Sequence, residues 1–436
     1  MRRPSPIARL RARAVRPEIA ARSRLLELEP RAAEAEMLRR LNDAWREATS
    51  NVPYWTALRS DRGLPSEFGA LAEYIQAVPV TTRAELKARL ADMTSRAAPA
   101  DSKRITGGST AEPVQIPAWS SEIEATRADT WIGRSWYGIA PDSPLFMVWG
   151  HSHLLGTGWR GWWNGWKRRA SDRLLGYRRF SAYDLRPERL REAADELMRF
   201  RPAYVVGYSV ALDLFARANR DRSAELRQAG VRAVVATAES FPDETSAGRI
   251  AELFGCPVAM EYGAVETGVI AHTHPDGGYR VLWPSHLVDV EPSGAGHAVR
   301  VTSLFPRAVP LMRYEIGDEV DLDDTDGRTF GVLRFRRVLG RCNDYVELPD
   351  GARLHSELFT HAVRGIAQIR GYQFVQDGQR IELRYLADAE LPADAVAGIV
   401  ERLTRIHPGL SRLRAVRSDA LERTVAGKTR MIVRRV

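Results

Sequence analysis

Apolar residues in the first hundred positions recur at helical spacing, with polar loops between them. The stretch RAAEAEMLRRLNDAWREA has apolar side chains three and four positions apart and is rich in good helix formers. The stretch NVPYWTALRSDRGLPSEF breaks this pattern. Thr82 places a hydroxyl directly before the helical run RAELKARL, which is the position of an N-cap. The sequence therefore predicts a helical N-terminal region in which one helix begins after Thr82.

Residues 187–262 alternate between two patterns. PERLREAADELMRF, VALDLFARAN and DETSAGRIAELF have helical spacing, whereas AYVVGY, VRAVVATAE and PVAMEYG are short apolar runs typical of buried strands. This alternation predicts a mostly parallel sheet covered by helices. Ligands bind such sheets at the carboxyl ends of the strands, and these ends read GYS, TAES and EYGAVETG.

The chain becomes rich in β-type patterns from about 281 to 338, in AVRVTSLF and VLRFRRVLG. A smaller α+β pattern follows GRCNDYVELPDG, with the strands GYQFVQ and RIELRYLA and a helix near 393–406. The sequence therefore predicts a large α/β domain over 1–340 and a small α+β domain over 341–436.

Composition narrows the functional classes. The chain has 436 residues and is 44% hydrophobic, enough to bury the cores of two or three domains. No apolar run approaches the roughly 20 residues needed to span a bilayer, and no apolar segment typical of a secretory signal follows the basic start. Cys256 and Cys342 have no metal-ligand spacing and are interpreted as reduced thiols. We therefore expect a cytoplasmic protein with no membrane partner.

Charge points to acidic small molecules. The net charge of +9 suits nucleotides, CoA or nucleic acid, but it is spread along the chain, so we expect no nucleic-acid partner. Only four of the 64 basic residues are lysines. A lysine amine can direct a single donor at a reacting oxygen, which a guanidinium does less well. This hint draws attention to Lys428.

The segment TGGST, residues 106–110, has the composition of a phosphate-binding loop. Glycine lets successive backbone N–H groups converge, and Ser109 and Thr110 add hydroxyl donors. It lacks the terminal Gly-Lys-Ser/Thr of a Walker loop. Small polar runs are more often ordinary loops, so the segment alone leaves both interpretations open.

Six motifs in order carry a resemblance to a known family: TGGSTAEP, ATAESFP, EYGAVETG, PLMRYEIGD, GRCND and AGKTR. They resemble the adenylate-forming superfamily of acyl-CoA synthetases, adenylation domains and luciferase. Within it the chain looks most like the phenylacetate–CoA ligase branch and its relatives in capsular-polysaccharide and natural-product gene clusters. The resemblance runs from near residue 51 to the C-terminus. It implies a large N-terminal domain with mostly parallel sheets covered by helices and a small mobile C-terminal domain.

The resemblance implies how ATP is held and activated. Gly108, Ser109 and Thr110 would bind its β- and γ-phosphates. Glu266 would bind Mg²⁺, a hard cation that prefers carboxylate oxygen. Lys428 would neutralise charge as the carboxylate substrate attacks the α-phosphate.

The same resemblance implies the nucleoside contacts. Ala238 and Glu239 would line the adenine pocket, and Tyr262 would stack on the adenine. Asp318 would accept hydrogen bonds from the ribose hydroxyls, and Arg341 would reach the same sugar or the phosphates.

Three positions depart from the family pattern. Ala111-Glu112 replaces the usual Gly-Lys after the phosphate loop, and Val265 replaces the Thr or Ser that touches the α-phosphate. The hinge position between the domains is Asn343, where Asp or Lys is common.

The resemblance places the acyl pocket after about residue 145. His151, His153 and Leu154 match its lining stretch, and Gly207 and Tyr208 would form the opposite wall. A histidine here could pair with the substrate carboxylate, deprotonate an incoming amine or be an ordinary core residue.

Seven of the eleven tryptophans fall between Trp131 and Trp166. They are interpreted mainly as core or interface packing, with an apolar wall for an aromatic or alkyl acid as the alternative. His272, His274 and His286 raise a zinc interpretation that no neighbouring cysteine supports.

The resemblance thus implies an AMP-forming ligase. It would use ATP and Mg²⁺ to convert a carboxylic acid to an acyl-adenylate, release pyrophosphate, and pass the acyl group to CoA, an amine or a carrier-protein thiol in a biosynthetic pathway. A homodimer stays open. The alternative is a non-catalytic or degenerate nucleotide-binding member of the same fold.

Overall fold

The computed structural model describes most of the chain. The described residues are 4–105, 115–149, 158–182, 185–242, 244–293, 296–322, 331–341, 345–349, 353–355, 359, 362–363, 366, 368–423 and 429–435.

Helices dominate the N-terminal region and recur between the strands that follow. They are α1 (Pro6–Leu26), α2 (Pro30–Asn51), α3 (Pro53–Arg62), α4 (Leu71–Ala77), α5 (Arg83–Ala88), α6 (Ser120–Ser135), α7 (Gly158–Leu175), α8 (Pro187–Phe200), α9 (Ser209–Ala218), α10 (Ser223–Arg227), α11 (Ser246–Phe254) and α12 (Ala393–Ile406).

The strands begin after the first five helices. They are β1 (Ser102–Ile105), β2 (Gln115–Ala118), β3 (Leu145–Trp149), β4 (Tyr177–Ser181), β5 (Tyr204–Tyr208), β6 (Ala233–Thr237), β7 (Val258–Ala264), β8 (Gly268–Thr273), β9 (Tyr279–Val281), β10 (His286–Ser293), β11 (Gly296–Ser303), β12 (Tyr314–Leu322), β13 (Arg334–Arg341), β14 (Tyr345–Glu347), β15 (Arg353–His355), β16 (Gly371–Asp377), β17 (Arg380–Leu386), β18 (Arg414–Arg417) and β19 (Ile432–Arg435).

The chain divides into two compact units. One contains Ser143–Val258 and Gly340–Val436, and we call it the parallel unit after its first sheet. The other contains Pro4–Asp142 and Ala259–Leu339, and we call it the antiparallel unit. The chain thus leaves the antiparallel unit once, returns to it, and leaves it again near residue 340.

Parallel strands β4, β3, β5 and β6 lie side by side in that order in the parallel unit. Every residue of β5 is buried, as expected for a continuous apolar strand covered on both faces. Helix α8 buries Leu190, Ala193, Ala194 and Leu197, a stripe at three- and four-residue spacing. The sheet edge where β5 and β6 end is therefore fixed by packing on both faces.

The C-terminal part of the parallel unit has its own small sheet and core. Its strand order is β18-β17-β16-β19, with β16 and β17 antiparallel and the outer strands parallel to their neighbours. Phe359, Phe374, Ile399 and Leu403 are among the fully buried side chains of this core. The predicted α+β pattern is confirmed here, while the domain boundary at 340/341 stays a prediction.

The antiparallel unit packs the N-terminal helices against antiparallel strands. Its strands run in the order β7-β8-β9-β13-β12-β11-β10. Trp45 of α2 is fully buried, with its ring edge-on to Trp55 and Tyr74, and its Nε1 donates to the Pro65 carbonyl over 3.0 Å. Because this buried indole N–H has a hydrogen-bond partner, its burial leaves no unsatisfied polar group.

The predicted elements agree closely with the structure. Helix α5 begins after Thr82, whose side chain accepts from the Glu85 N–H over 3.2 Å. The alternating stretch forms α8, β5, α9, β6, α11 and β7 in the predicted order. The α/β fold class with a smaller α+β part is confirmed, and the parallel pairing expected of its sheet occurs in β3–β6. Among the described residues, no helix has both the length and the apolar character to cross a membrane.

Candidate active site

The carboxyl end of β6 carries an unusual backbone turn. Ala238, the residue after the strand, has φ +76°, a left-handed conformation that costs a residue with a Cβ about 1–3 kcal/mol. Such strain persists only where the surroundings fix the backbone. The turn directs the next residue, Glu239, toward the start of α9.

The Glu239 side chain connects two segments of the parallel unit. Its Oε1 accepts from the Val210 N–H over 3.1 Å, and its main-chain carbonyl accepts from Ser209 Oγ over 2.7 Å. These donors belong to the first turn of α9, where a negative charge is favoured. Its Oε2 accepts from the Thr429 N–H over 3.1 Å. Thr429 directly follows Lys428, so the C-terminal segment is bonded to the strand end that the sequence predicts as the adenine pocket.

Three further hydrogen bonds join the C-terminal part of the chain to the parallel sheet. Arg423 donates to the Ala182 carbonyl. Arg217 Nη1 donates to the Ile369 carbonyl over 3.1 Å. The Tyr372 hydroxyl donates to the Pro242 carbonyl over 3.1 Å. The segments before and after Lys428 are thus both bonded within this unit.

The predicted acyl-pocket residues of β5 are buried. Tyr208 packs its ring 4.4 Å from that of Trp149 at the end of β3. A Cβ on Gly207 would meet Leu212 at 3.0 Å and Val148 at 3.1 Å, so a larger residue there would push α9 from the strand. Because β5 and β6 are parallel neighbours, Gly207 and Tyr208 lie on the same edge of the sheet as Ala238.

The EYGAVETG motif forms a sharp bulge in the antiparallel unit. The register between β7 and β8 shifts between Tyr262 and Gly263. A Cβ on Gly263 would lie 2.0 Å from the Gly268 carbonyl oxygen, so only glycine fits without moving the backbone. Thr267 Oγ1 closes the turn, accepting from the Ala264 N–H at 3.0 Å and donating to the Gly268 carbonyl at 2.9 Å.

Tyr262 is buried on the side of this bulge. Its ring lies edge-on to Phe335 at 5.7 Å and to Tyr279 at 6.4 Å. These contacts fix the orientation of the ring that the sequence assigns to adenine. The assignment itself stays a prediction.

Glu266 follows the bulge and is only 5% exposed. Its Oε1 lies 3.6 Å from Arg83 Nη2 and accepts from the Tyr314 hydroxyl over 3.4 Å. Its main-chain carbonyl accepts from Arg307. The Glu266 carboxylate therefore has the Arg83 guanidinium beside it, and Arg307 holds the main chain of the same residue.

A buried arginine–glutamate–arginine arrangement supports this turn. Glu122 Oε1 accepts from Arg104 Nε over 3.2 Å and lies 3.7 Å from Arg307 Nε, and its Oε2 accepts from the Ala308 N–H over 2.8 Å. Arg307 is 1% exposed, and burial together with the nearby Arg104 charge lowers its pKa to about 10.

The arrangement ties two of the predicted motifs together. Arg104 Nη1 donates to the Val265 carbonyl over 3.4 Å, and Arg307 takes the next carbonyl. Arg104 lies in β1, two residues before the TGGST segment. The strand that leads into the predicted phosphate loop is therefore bonded to the backbone that carries Glu266.

Asp318 lies in β12, beside Gly317 at φ +85°, where the register with β11 is irregular. It is partly buried, and its assignment to the ribose stays a prediction. Arg341 is the last residue of β13, and its side chain is outside the description.

Several predicted site residues lie outside the described residues. They are Gly108, Ser109 and Thr110 of the phosphate loop, Ala111-Glu112, His151, His153, Leu154, Asn343 and Lys428. Of the others, Gly207, Tyr208, Ala238 and Glu239 belong to the parallel unit, and Tyr262, Glu266 and Asp318 to the antiparallel unit.

Of the three histidines considered for zinc, His272 and His286 lie in strands, and His274 directly follows β8. His272 of β8 is fully buried, with Nδ1 2.9 Å from the Thr273 carbonyl, and burial lowers its pKa. His286 of β10 is also fully buried, and burial together with the Arg307 charge lowers its pKa to about 3. Within the described part of the chain, no group of three or more His, Cys, Asp or Glu residues is arranged to hold a metal ion.

Comparisons with known proteins address the fold directly. No family model matches the chain. Protein CapK from Staphylococcus aureus is 25% identical over 201 residues, which cover 45% of this chain and less than half, 44%, of CapK. The structure of 2-hydroxyisobutyryl-CoA ligase in the postadenylation state with R3-HIB-AMP superposes with a TM-score of 0.69 at 17% identity, covering 94% of this chain and 90% of that ligase.

The chain has the adenylate-forming ligase fold. The anthranilate-CoA ligase AuaEII in complex with anthranoyl-AMP has the same fold, with a TM-score of 0.53 at 12% identity over 75% of this chain and 65% of that one. The fold expected from the six motifs is thereby confirmed.

The adenylate-forming fold was recognisable from its motifs, but its supporting residues were not. Arg104, Glu122 and Arg307 have no distinctive sequence context, and arginine is too frequent in this chain to attract attention. The main-chain donor of Thr429 is equally invisible, because every residue except proline has one.

Proposed function

We propose that this protein is an AMP-forming ligase that activates a carboxylic acid with ATP. The acid attacks the α-phosphorus, forms an acyl-adenylate and releases pyrophosphate. The observation that carries the proposal is the pairing of Glu239 with both α9 and Thr429. It holds the segment next to Lys428 at the carboxyl end of a parallel strand, the usual ligand-binding edge of such a sheet.

The residues assigned to catalysis have complementary tasks. Lys428 offers a single positive charge to the oxygens on which negative charge develops. Glu239 holds the following residue in place through a charge-assisted hydrogen bond, stronger than one between neutral groups. Trp149, which is partly exposed and packs on the buried Tyr208, supplies apolar surface beside the strand ends for the acyl group.

Glu266 of the antiparallel unit fits the role of a magnesium ligand. Mg²⁺ is usually held by one or two carboxylates together with substrate phosphates, and Glu266 offers a carboxylate whose backbone Arg307 fixes. When bound, the ion neutralises charge on the phosphates. Arg83, 3.6 Å from Oε1, gives this carboxylate a positive neighbour in the present structure.

The acyl acceptor is CoA, an amine or a carrier-protein thiol. Two structural neighbours, 2-hydroxyisobutyryl-CoA ligase and the anthranilate-CoA ligase AuaEII, are CoA ligases, which favours testing CoA first. Acceptors should be compared only after the acid is known, because transfer requires the acyl-adenylate.

A non-catalytic or degenerate nucleotide-binding protein is the second candidate, and Val265 favours it. This residue is 40% exposed and has no hydroxyl where the resemblance implies one against the α-phosphate. Losing one hydrogen bond to a charged phosphate costs about 1.5–3 kcal/mol. By itself this slows adenylation about 10- to 100-fold and does not abolish it.

ATP–pyrophosphate exchange with a panel of aromatic, fatty and amino acids tests the proposal. We expect exchange that depends on one class of acid and collapses in Lys428→Ala. Lys87→Ala is the control, because this lysine of α5 is exposed and belongs to none of the six motifs. ATP binding without exchange for any acid, in wild type and in Val265→Thr, would favour the non-catalytic candidate. Absence of ATP binding would refute both.

A further inference from the structure

Helix α7 presents three tryptophans to solvent. The exposed fractions are 72% for Trp159, 38% for Trp163 and 51% for Trp166. Their spacing of four and three positions places them on one face of the helix. The sequence pattern favoured packing or a pocket wall for the tryptophans of this region, but these three are exposed. We call them the tryptophan face.

The opposite side of α7 holds the helix in this orientation. Asp172 is buried and accepts from Arg179 of β4 through both oxygens, at 2.7 and 3.0 Å. A bidentate pair of this kind fixes geometry as well as adding attraction. At 100° per residue, Asp172 lies more than a quarter-turn from each of the three tryptophans. The tryptophan face therefore stays outward as long as this pair is intact.

Positive charge borders the tryptophan face. Lys167, Arg169 and Arg173 are exposed on the same helix, and Lys167 Nζ lies 5.5 Å from the centre of the Trp163 ring. Asp172 is the one acidic residue in the α7 sequence, and it is paired on the inner side. A partner that binds this face must make favourable contacts with indole rings and carry negative charge.

The tryptophans are stacked on each other. The Trp159 and Trp163 ring centres are 6.1 Å apart at 27°, and those of Trp163 and Trp166 are 5.4 Å apart at 16°. Both faces of the Trp163 ring are therefore covered, which leaves no platform there for a nucleic-acid base. A second copy of the chain is also disfavoured, because two such faces would bring their lysines and arginines together.

We propose that the tryptophan face docks α7 in the plane of a bilayer surface that contains anionic phospholipid. Tryptophan is enriched at the membrane–water interface, where its ring meets acyl chains and its N–H stays hydrated. A helix with an aromatic face bordered by Lys and Arg is typical of interfacial binding without spanning. At 18 residues, α7 is about 27 Å long, which gives room for all three rings to insert side by side. This proposal replaces the expectation that the protein has no membrane partner, and it is independent of the proposed catalytic function.

Co-sedimentation of the full chain with phosphatidylcholine vesicles, with and without phosphatidylglycerol, tests the proposal. We expect binding to the anionic vesicles, weakening with salt, and quenching of tryptophan fluorescence by brominated acyl chains. The triple variant W159A/W163A/W166A should bind at least tenfold more weakly. K167Q/R169Q/R173Q should also bind more weakly and lose much of the salt dependence.

L28A/V416A is the matched control, since it shortens exposed apolar residues elsewhere and should bind like wild type. Thermal unfolding without vesicles reports folding, and exposed substitutions should leave it nearly unchanged. Equal vesicle binding by wild type and the tryptophan variant would overturn the proposal, as would no binding to anionic vesicles. If the tryptophan variant instead changes a dimer to a monomer without any vesicle binding, the face is a self-association surface and the proposal is wrong.

Discussion

The main-chain N–H of Thr429 donates to Glu239 Oε2 over 3.1 Å, across 190 positions of sequence. The same carboxylate accepts from the first turn of α9 through its other oxygen. One side chain thus fixes both the end of β6 and the segment beside Lys428.

Glu239→Gln should slow adenylation about 10- to 100-fold, because it weakens hydrogen bonds to a charged group worth about 1.5–3 kcal/mol. The amide retains one acceptor, so Glu239→Ala should be slower still. Initial rates of ATP–pyrophosphate exchange measure the effect. Glu252→Gln, an exposed residue of α11, is the control and should match wild type. An unchanged rate in Glu239→Ala would mean that this pairing has no role in adenylation.

Glu122→Gln should destabilise the antiparallel unit by about 3–5 kcal/mol, because it leaves Arg307 and Arg104 buried without their carboxylate. The midpoint and slope of urea unfolding measure this. Glu67→Gln removes the carboxylate of a surface pair with Arg46 and should cost far less stability, because exposed ion pairs contribute little. Equal losses in the two variants would show that the buried arrangement contributes no more than a surface pair.

Gly263→Ala should abolish ATP binding and lower stability, because the added methyl would meet the Gly268 carbonyl at 2.0 Å. Gly248→Ala is the matched control. Gly248 lies inside α11 with nothing within 4 Å of its added Cβ, so alanine there should stabilise by about 0.5–1 kcal/mol. Calorimetric titration with ATP and thermal unfolding separate the two effects. Normal ATP affinity in Gly263→Ala would rule out a tight bulge at this position.

His286 should make the protein sensitive to acid. Burial lowers the pKa of His286 in the folded state to about 3, whereas in the unfolded chain its pKa should be about 6.5. Below that pH the unfolded state binds a proton that the folded state does not. Stability should therefore fall as pH drops from about 6.5 toward 3, at up to about 1.4 kcal/mol per pH unit from this group.

Urea unfolding between pH 8 and pH 5 checks this dependence. His286→Leu removes the titrating ring, so its stability relative to wild type should increase as pH falls, with pH 8 as the internal reference. A constant difference between the two proteins across this range would contradict the assignment to His286.

Val265→Thr should raise the adenylation rate by up to about 10- to 100-fold, because the hydroxyl restores a hydrogen bond to the charged α-phosphate worth about 1.5–3 kcal/mol. Val265 is 40% exposed, so the substitution should not affect folding. Exchange kinetics measure the gain, and Val416→Thr, an equally exposed valine, serves as the control. A slower Val265→Thr enzyme would show that the apolar methyl is the functional choice.

Periodicity predicted the helices and strands well, since α8, β5 and β6 have strong apolar patterns and recognisable ends. It could not predict the left-handed backbone of Ala238, because alanine has no preference for that conformation. It also could not predict that Trp159, Trp163 and Trp166 of α7 face solvent. That orientation depends on the Asp172–Arg179 pair, which fixes the rotation of the helix.

Each of the four described hydrogen bonds between the C-terminal part and the parallel sheet has a main-chain atom as one partner. These atoms are the Thr429 nitrogen and the carbonyls of Ala182, Ile369 and Pro242. Substitutions at those four positions, apart from proline at 429, leave the bonding atoms in place. Related chains can therefore diverge at these four positions without compensating changes in the residues bonded to them. Correlated substitutions between positions would then give little sign that the two segments touch.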